Sequence, residues 1–158
     1  MIKKNSVIIV MLLIMFNSTV FAGDIPEGIM LGEQKALFIG EIISIKEQKS
    51  NIKPVTIMMG SVSQEEITVD SFEEYYGTNE VPEVGDFIVA VLILDNEIDE
   101  SWIFKTTSSD YKTLELVNES YNSYNMVGRY QEYINTGAYL EAQEGLDEKK
   151  KNQFKLLE

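Results

Sequence analysis

Short apolar runs separated by polar punctuation assign most of the elements of this chain. Lys35–Glu47 (KALFIGEIISIKE) carries the strongest extended pattern. Leu37, Phe38, Ile39, Ile42, Ile43 and Ile45 favour a strand, because branched and aromatic side chains pack well on a pleated surface. Strict alternation places Leu37, Ile39, Ile43 and Ile45 on one face and puts Glu41 among them. A bulge at Gly40–Glu41 relieves that conflict, since one extra residue reverses side-chain parity and bends the strand. A glycine in mid-strand fits such a bend, or else a site where a bulky neighbour needs room.

A polar turn over Gln48–Lys53 follows. Pro54–Val62 (PVTIMMGSV) and Glu66–Ser71 (EITVDS) read as the second and third strands, joined through Ser61–Glu65. Ser71-Phe72-Glu73-Glu74 has capping-box spacing, with Gly77 placed to end a short helical turn, although the strand context competes. Thr78–Asp86 is a loop, marked by Pro82 and Gly85-Asp86. Phe87–Leu94 (FIVAVLIL) is apolar at every position and predicts a strand buried on both faces. Asp95–Ser101 is a polar turn. Trp102–Thr107 places Trp102, Phe104 and Thr106 on one face, and Thr113–Val117 reads as a last strand.

The period then changes. Met126, Val127, Tyr130, Tyr133 and Ile134 form one stripe of a helix over Asn125–Thr136. Ser123 or Asn125 serves as N-cap, and Gly137 stands where a helix-terminating glycine belongs. Residues 138–158 form a highly charged C-terminal tail of weak helical pattern.

The N-terminal region changes the setting. Lys3 and Lys4, the apolar run Val7–Phe16 and the sequence Val20-Phe21-Ala22 match a secretory signal peptide over residues 1–22. The apolar run spans only about 15 Å as a helix, too short for a bilayer core. The expectation is export, to the medium or the cell envelope, with no stable membrane insertion after cleavage at Gly23. Residues 23–34, rich in glycine, form an extended leader.

Charge and composition narrow the chemistry. The chain carries a formal charge of −13. Loss of residues 1–22 removes two lysines and no acid, giving −15. Such a chain is repelled by phosphate backbones, and Lys46, Lys49 and Lys53 are too few to make a nucleic-acid groove. There is no histidine and no cysteine. That removes His-dependent nucleophiles, thiolates, most catalytic zinc sites and disulfides, so the core holds by packing alone. No cofactor is implied, and the sequence predicts no enzyme.

Six short strands followed by one amphipathic helix predict a mainly β fold, a small closed β-barrel over residues 35–137. The runs ALFIGEIISI, VTIMMGSV, EEITVDSF, VPEVGDFIVAVLIL, WIFKTT, KTLELV and NMVGRYQEYINTG resemble, in order and texture, the netrin-like OB module of tissue inhibitors of metalloproteinases. The resemblance covers about Ala36–Gly137 and implies a barrel and an inhibitor-like, protein-binding role. Inhibitory members of that family begin with a cysteine that chelates the target's zinc. This chain is expected to begin Gly23-Asp24-Ile25-Pro26, so no functional residue transfers.

The residues themselves offer two surfaces. Tyr75 and Tyr76, with Glu83 on the following loop, are candidate contacts with a protein partner, since exposed tyrosines favour such contacts. Their alternative role is to cap the core. Asp95, Glu97 and Asp99 share a turn with Glu100 and are a calcium candidate, although the EF-hand spacing fails at Glu100 and Thr106. Asn118-Glu119-Ser120 is a glycosylation sequon, meaningful in a eukaryotic secretory route. The function expected is an exported protein-binding module. The alternative is an envelope domain contacting glycan or calcium.

Overall fold

A computed structural model describes Ile29, residues 34–119 and residues 125–155, with side chains as far as residue 148. The expected signal peptide, its cleavage point and all of the leader except Ile29 and Gln34 lie outside the described residues. The fold is mainly β, a six-stranded antiparallel sheet with two helices. Its strands are β1 (Ala36–Lys46), β2 (Lys49–Gly60), β3 (Ile67–Asp70), β4 (Phe87–Leu94), β5 (Glu97–Ile98) and β6 (Phe104–Thr106). β1 lies between β2 and β4, β3 flanks β2, and β5 and β6 pair with opposite ends of β4.

β2 starts five residues earlier than the sequence predicts. The turn before it is only Glu47-Gln48, both with positive φ (50° and 63°). That is the backbone of a two-residue hairpin, a conformation usually announced by asparagine or glycine. Glu-Gln gives no such signal, so the polar run 48–53 resembled a longer turn.

The bulge of β1 is not at Gly40–Glu41. β1 pairs with β4 without interruption from Ala36↔Leu92 to Glu41↔Phe87. Ala36, Phe38 and Ile42 face one core, so parity holds through Gly40–Glu41. The extra residue of β1 is Ile43, and only after it does Ile45 turn toward that same core. Two further shifts leave Val55 and Met58 as extra residues of β2. Gly40 is required for a different reason. A Cβ there would lie 2.6 Å from Ile52 Cγ2 and 3.0 Å from Phe38 Cε2. Its role is close approach between strands.

A closed barrel is not formed. Among the described residues β3 pairs only with β2, and β5 and β6 pair only with β4. The sheet curls until β3 and β5 come into contact, yet no ladder joins its two edges. β3 is four residues long, and the chain leaves it at Ser71 in an irregular crossing. The short helical turn expected from Ser71 is absent. Ser71 instead donates its N–H to Gln48 O at 2.9 Å and its Oγ lies 3.1 Å from Ser50 Oγ. One backbone bond, Tyr76 N–H to Ile103 O at 2.7 Å, ties the crossing to the far side.

The sheet buries both faces. The inner face carries Phe38, Ile42, Ile52, Ile88 and Leu92, closed over by Phe72 and Tyr75 of the crossing and by Ile98 and Ile103. The outer face carries Leu37, Ile39, Met59, Val89, Val91 and Phe104. From Ile88 to Leu92, β4 alternates between the two as its apolar run predicts, whereas Ile93 and Leu94 at its end are exposed. α1 (Met126–Asn135) lays Val127, Tyr130, Tyr133 and Ile134 on the outer face. Asn125 caps it, its side chain accepting Gly128 N–H at 3.1 Å. α2 (Ala138–Lys155) follows across Gly137, whose φ is 73°. Tyr139 is buried in the outer cluster and Gln143 accepts Gly60 N–H at 2.8 Å. The first turns of the expected tail are therefore part of the outer layer. The expected last strand, Thr113–Val117, keeps a single bridge, Leu116 to Thr106, while Leu114 and Leu116 face the outer core as their alternation predicts. Among the described residues, no helix is long and apolar enough to cross a membrane.

Candidate functional site

The crossing segment sends its two tyrosines to opposite cores. Tyr75 is 1% exposed and stacks edge-on against Phe72 in the inner core. Tyr76 is half-buried, its ring 4.7 Å from Trp102 and 5.0 Å from Phe104 in the outer core. Neighbouring residues of an extended backbone point to opposite sides, so a Tyr-Tyr pair in a gap between two cores seals both. Tyr75 is thus a core residue with no surface for a partner. Of the three expected contacts, only Glu83 is exposed.

Tyr75 has a second task. Its hydroxyl donates to Asp86 Oδ2 at 2.7 Å. The same oxygen accepts Glu83 N–H at 3.0 Å, and Asp86 N–H returns to Glu83 O at 3.2 Å. Gly85, with φ of 96°, supplies the left-handed position that this turn needs. Lys105 of β6 completes the cluster, its Nζ 2.8 Å from Glu80 and 3.1 Å from Asp86, and 5.8 Å from the centre of the Tyr75 ring.

The charges answer to this geometry. Burial alone would raise the Asp86 pKa, but the hydrogen bonds from Tyr75, Lys105 and Glu83 N–H outweigh it and hold the carboxyl below its usual value. The Glu80 hydrogen bond raises the Lys105 pKa against a smaller effect of burial. Burial, then the Asp86 carboxylate, push the Tyr75 phenol well up. All three groups are locked in the protonation state that the cluster needs at neutral pH. The cluster is a brace beneath the loop Thr78–Asp86.

That loop carries the two most exposed of the large apolar side chains, Val81 at 70% and Val84 at 62%. Pro82 between them is buried. Asn118 anchors the loop's start by donating to Tyr76 O at 3.0 Å, and Glu119 N–H donates to Gly77 O at 3.0 Å. The sequon amide is therefore engaged inside the fold. The result is a ridge with two valines and Glu83 at its crest and fixed polar contacts beneath.

The calcium candidate does not assemble. Asp95 pairs with Lys35. Asp99 accepts Ser101 N–H at 3.0 Å and so caps the 3-10 turn Glu100–Trp102. Glu97 stands on β5. Among the described residues, no three carboxylates converge in a metal-binding arrangement. Asp70, Glu97, Asp99 and Glu100 instead border an open concavity of about 500 Å³ beside Ile93.

Sequence reading missed the ridge valines, Asp86 and Lys105. Val81 and Val84 were legible as apolar residues in a Pro- and Gly-marked loop, without periodic partners. The Asp86–Lys105 pairing joins residues nineteen apart on different elements and leaves no local signature. Comparison with protein-family models, with curated proteins and with solved structures finds no match. The netrin-like resemblance therefore rests on residue pattern alone.

Proposed function

We propose that the protein is an exported, non-catalytic module that binds another protein through the ridge Thr78–Asp86. One observation carries this reading: Val81 and Val84 stand 70% and 62% exposed on a loop pinned from beneath by Tyr75, Asp86 and Lys105. A mobile loop can fold its apolar residues away. A braced one presents them permanently, and apolar groups framed by polar residues are typical of contact surfaces. The absence of histidine and cysteine from the sequence favours binding over catalysis, and the charge of −13 argues against a nucleic-acid partner.

The test is affinity capture from the secreted and envelope fractions with wild type and a Val81→Ser/Val84→Ser variant. Both residues are exposed, so the variant folds, as its thermal midpoint should show. A protein retained by wild type and lost by the variant is the expected outcome. Equal recovery, or retention only on cell-wall polymer, overturns the reading. Intact mass of the exported protein should place its first residue at Gly23.

A further inference from the structure

On the reading that the ridge is the contact, we infer that its partner presents a cationic surface, lysine- or arginine-rich around an apolar centre. The argument for this occupant is charge complementarity around the two valines. Glu80 and Glu83 alternate with Val81 and Val84 along the ridge, and Asn79 donates to Glu119 at 3.3 Å, which brings a further carboxylate to its flank. Asp86 lies beneath. Against these four carboxylates, the one ammonium paired with them among the described residues is Lys105, which is committed to Glu80 and Asp86 at once. No other cation comes from the surrounding sequence: between Lys53 and Lys105 the chain contains twelve acids and no lysine or arginine.

An apolar centre with a one-signed rim is selective. The valines gain from any apolar partner, at roughly 25 cal/mol per Å² removed from water. The rim then sorts partners by charge, speeding the approach of cationic surfaces and penalising anionic ones, and its contribution fades with salt. A second copy of this chain brings the same acidic rim, so like charges oppose self-pairing of the ridge.

The experiment is an NMR titration of the 15N-labelled purified protein with two synthetic dodecapeptides, one alternating lysine and leucine, the other alternating serine and leucine. The expected result is amide shifts centred on residues 78–86 with the lysine peptide, at least tenfold weaker binding of the serine peptide, and weakening by 300 mM salt. Glu83→Lys should cost on the order of fivefold in affinity for the lysine peptide, and Val81→Ser/Val84→Ser should abolish the shifts. Equal binding of both peptides at 78–86 keeps the ridge as a contact and overturns the cationic partner. Shifts confined to the acids at 95–101, or none at all, overturn the ridge as the site for such a partner. Concentration-dependent shifts at 78–86 in the protein alone would make the occupant a second copy and overturn the inference.

Discussion

The two faces of the sheet are sealed by different means. The outer face is covered by regular structure, α1 and α2, over a cluster of rings. Trp102 lies 4.9 Å from Phe104 and 5.5 Å from Tyr130, and Tyr76 closes the group from the crossing segment. The inner face is mostly aliphatic and is sealed by an irregular crossing, held by a few backbone hydrogen bonds and by the Tyr75–Asp86–Lys105 cluster. The outer seal depends on buried area and ring packing, which pH does not touch. The inner seal depends on a few polar contacts that titrate. The ridge that displays Val81 and Val84 belongs to the inner seal, so the part proposed to bind is held by the weaker of the two devices.

The largest effect expected is on the outer side. Trp102 is fully buried at the centre of the ring cluster. Trp102→Ala should cost about 3–5 kcal/mol in a chemical-denaturation experiment, from lost transfer energy and the cavity left behind. The loss should be the same at pH 5 and pH 8. A cost below about 2 kcal/mol would mean that the helices can collapse onto the sheet without the indole, and the outer seal would not be a fixed one.

Next comes a point of close approach on the inner face. Gly40→Ala should cost about 1–3 kcal/mol, because the added Cβ meets Ile52 Cγ2 at 2.6 Å. The backbone there is not in the left-handed region, so the penalty is one of space. It should shrink when Ile52→Ala is made in the same chain, giving a coupling of about 1 kcal/mol or more. Strict additivity would point to backbone strain at Gly40 and against the close-approach role.

The brace should give a smaller effect that depends on pH. Asp86→Asn removes the ion pair with Lys105 and should cost about 1–2 kcal/mol at pH 7. Its folded pKa is lowered, so the carboxylate contributes stability above its unfolded pKa of about 4. That contribution is lost as pH falls from there through the lowered folded value. The difference between wild type and Asp86→Asn should therefore narrow below about pH 4 and hold constant between pH 5 and 8. A difference unchanged down to pH 2.5 would remove Asp86 from the inner seal. The same substitution should weaken partner capture, since it loosens the ridge without altering Val81 or Val84.

The split between the seals also explains what was legible in the sequence. Periodicity reports burial, so β1, β4, the Trp102–Phe104–Thr106 face and α1 were readable from apolar spacing, and Asn125 and Gly137 marked the ends of α1. Contacts between distant polar residues leave no period. The brace was therefore invisible, and Tyr75 resembled a surface residue because Glu73 and Glu74 precede it. The closed barrel was an extrapolation from strand count. Closure needs a ladder between the edge strands, and among the described residues the four-residue β3 touches β5 without pairing with it. The early hairpin at Glu47-Gln48 hid because its residues lack the chemistry that usually signals positive φ.

The smallest single effect expected, that of Tyr130→Phe, sharpens the comparison most when the same chemical change is placed in the other seal. Tyr130 is fully buried in the outer ring cluster, and its hydroxyl has no hydrogen-bond partner among the described residues. The Trp102 indole lies close enough to perturb it but makes no hydrogen bond of proper geometry, and its own N–H is likewise unpaired. Burial pushes the Tyr130 phenol far up, so the group is protonated at neutral pH. Tyr130→Phe removes a desolvated hydroxyl that gains nothing in return, and should be neutral or stabilising by up to about 1 kcal/mol. Tyr75→Phe removes a hydroxyl that donates to a carboxylate, and should cost about 1.5–3 kcal/mol, on the scale of hydrogen bonds to charged groups. Ring packing is retained in both variants, so the difference between them isolates the polar share of each seal. Equal costs in paired denaturation curves would show that the hydroxyls, and with them the two seals, are not different in kind.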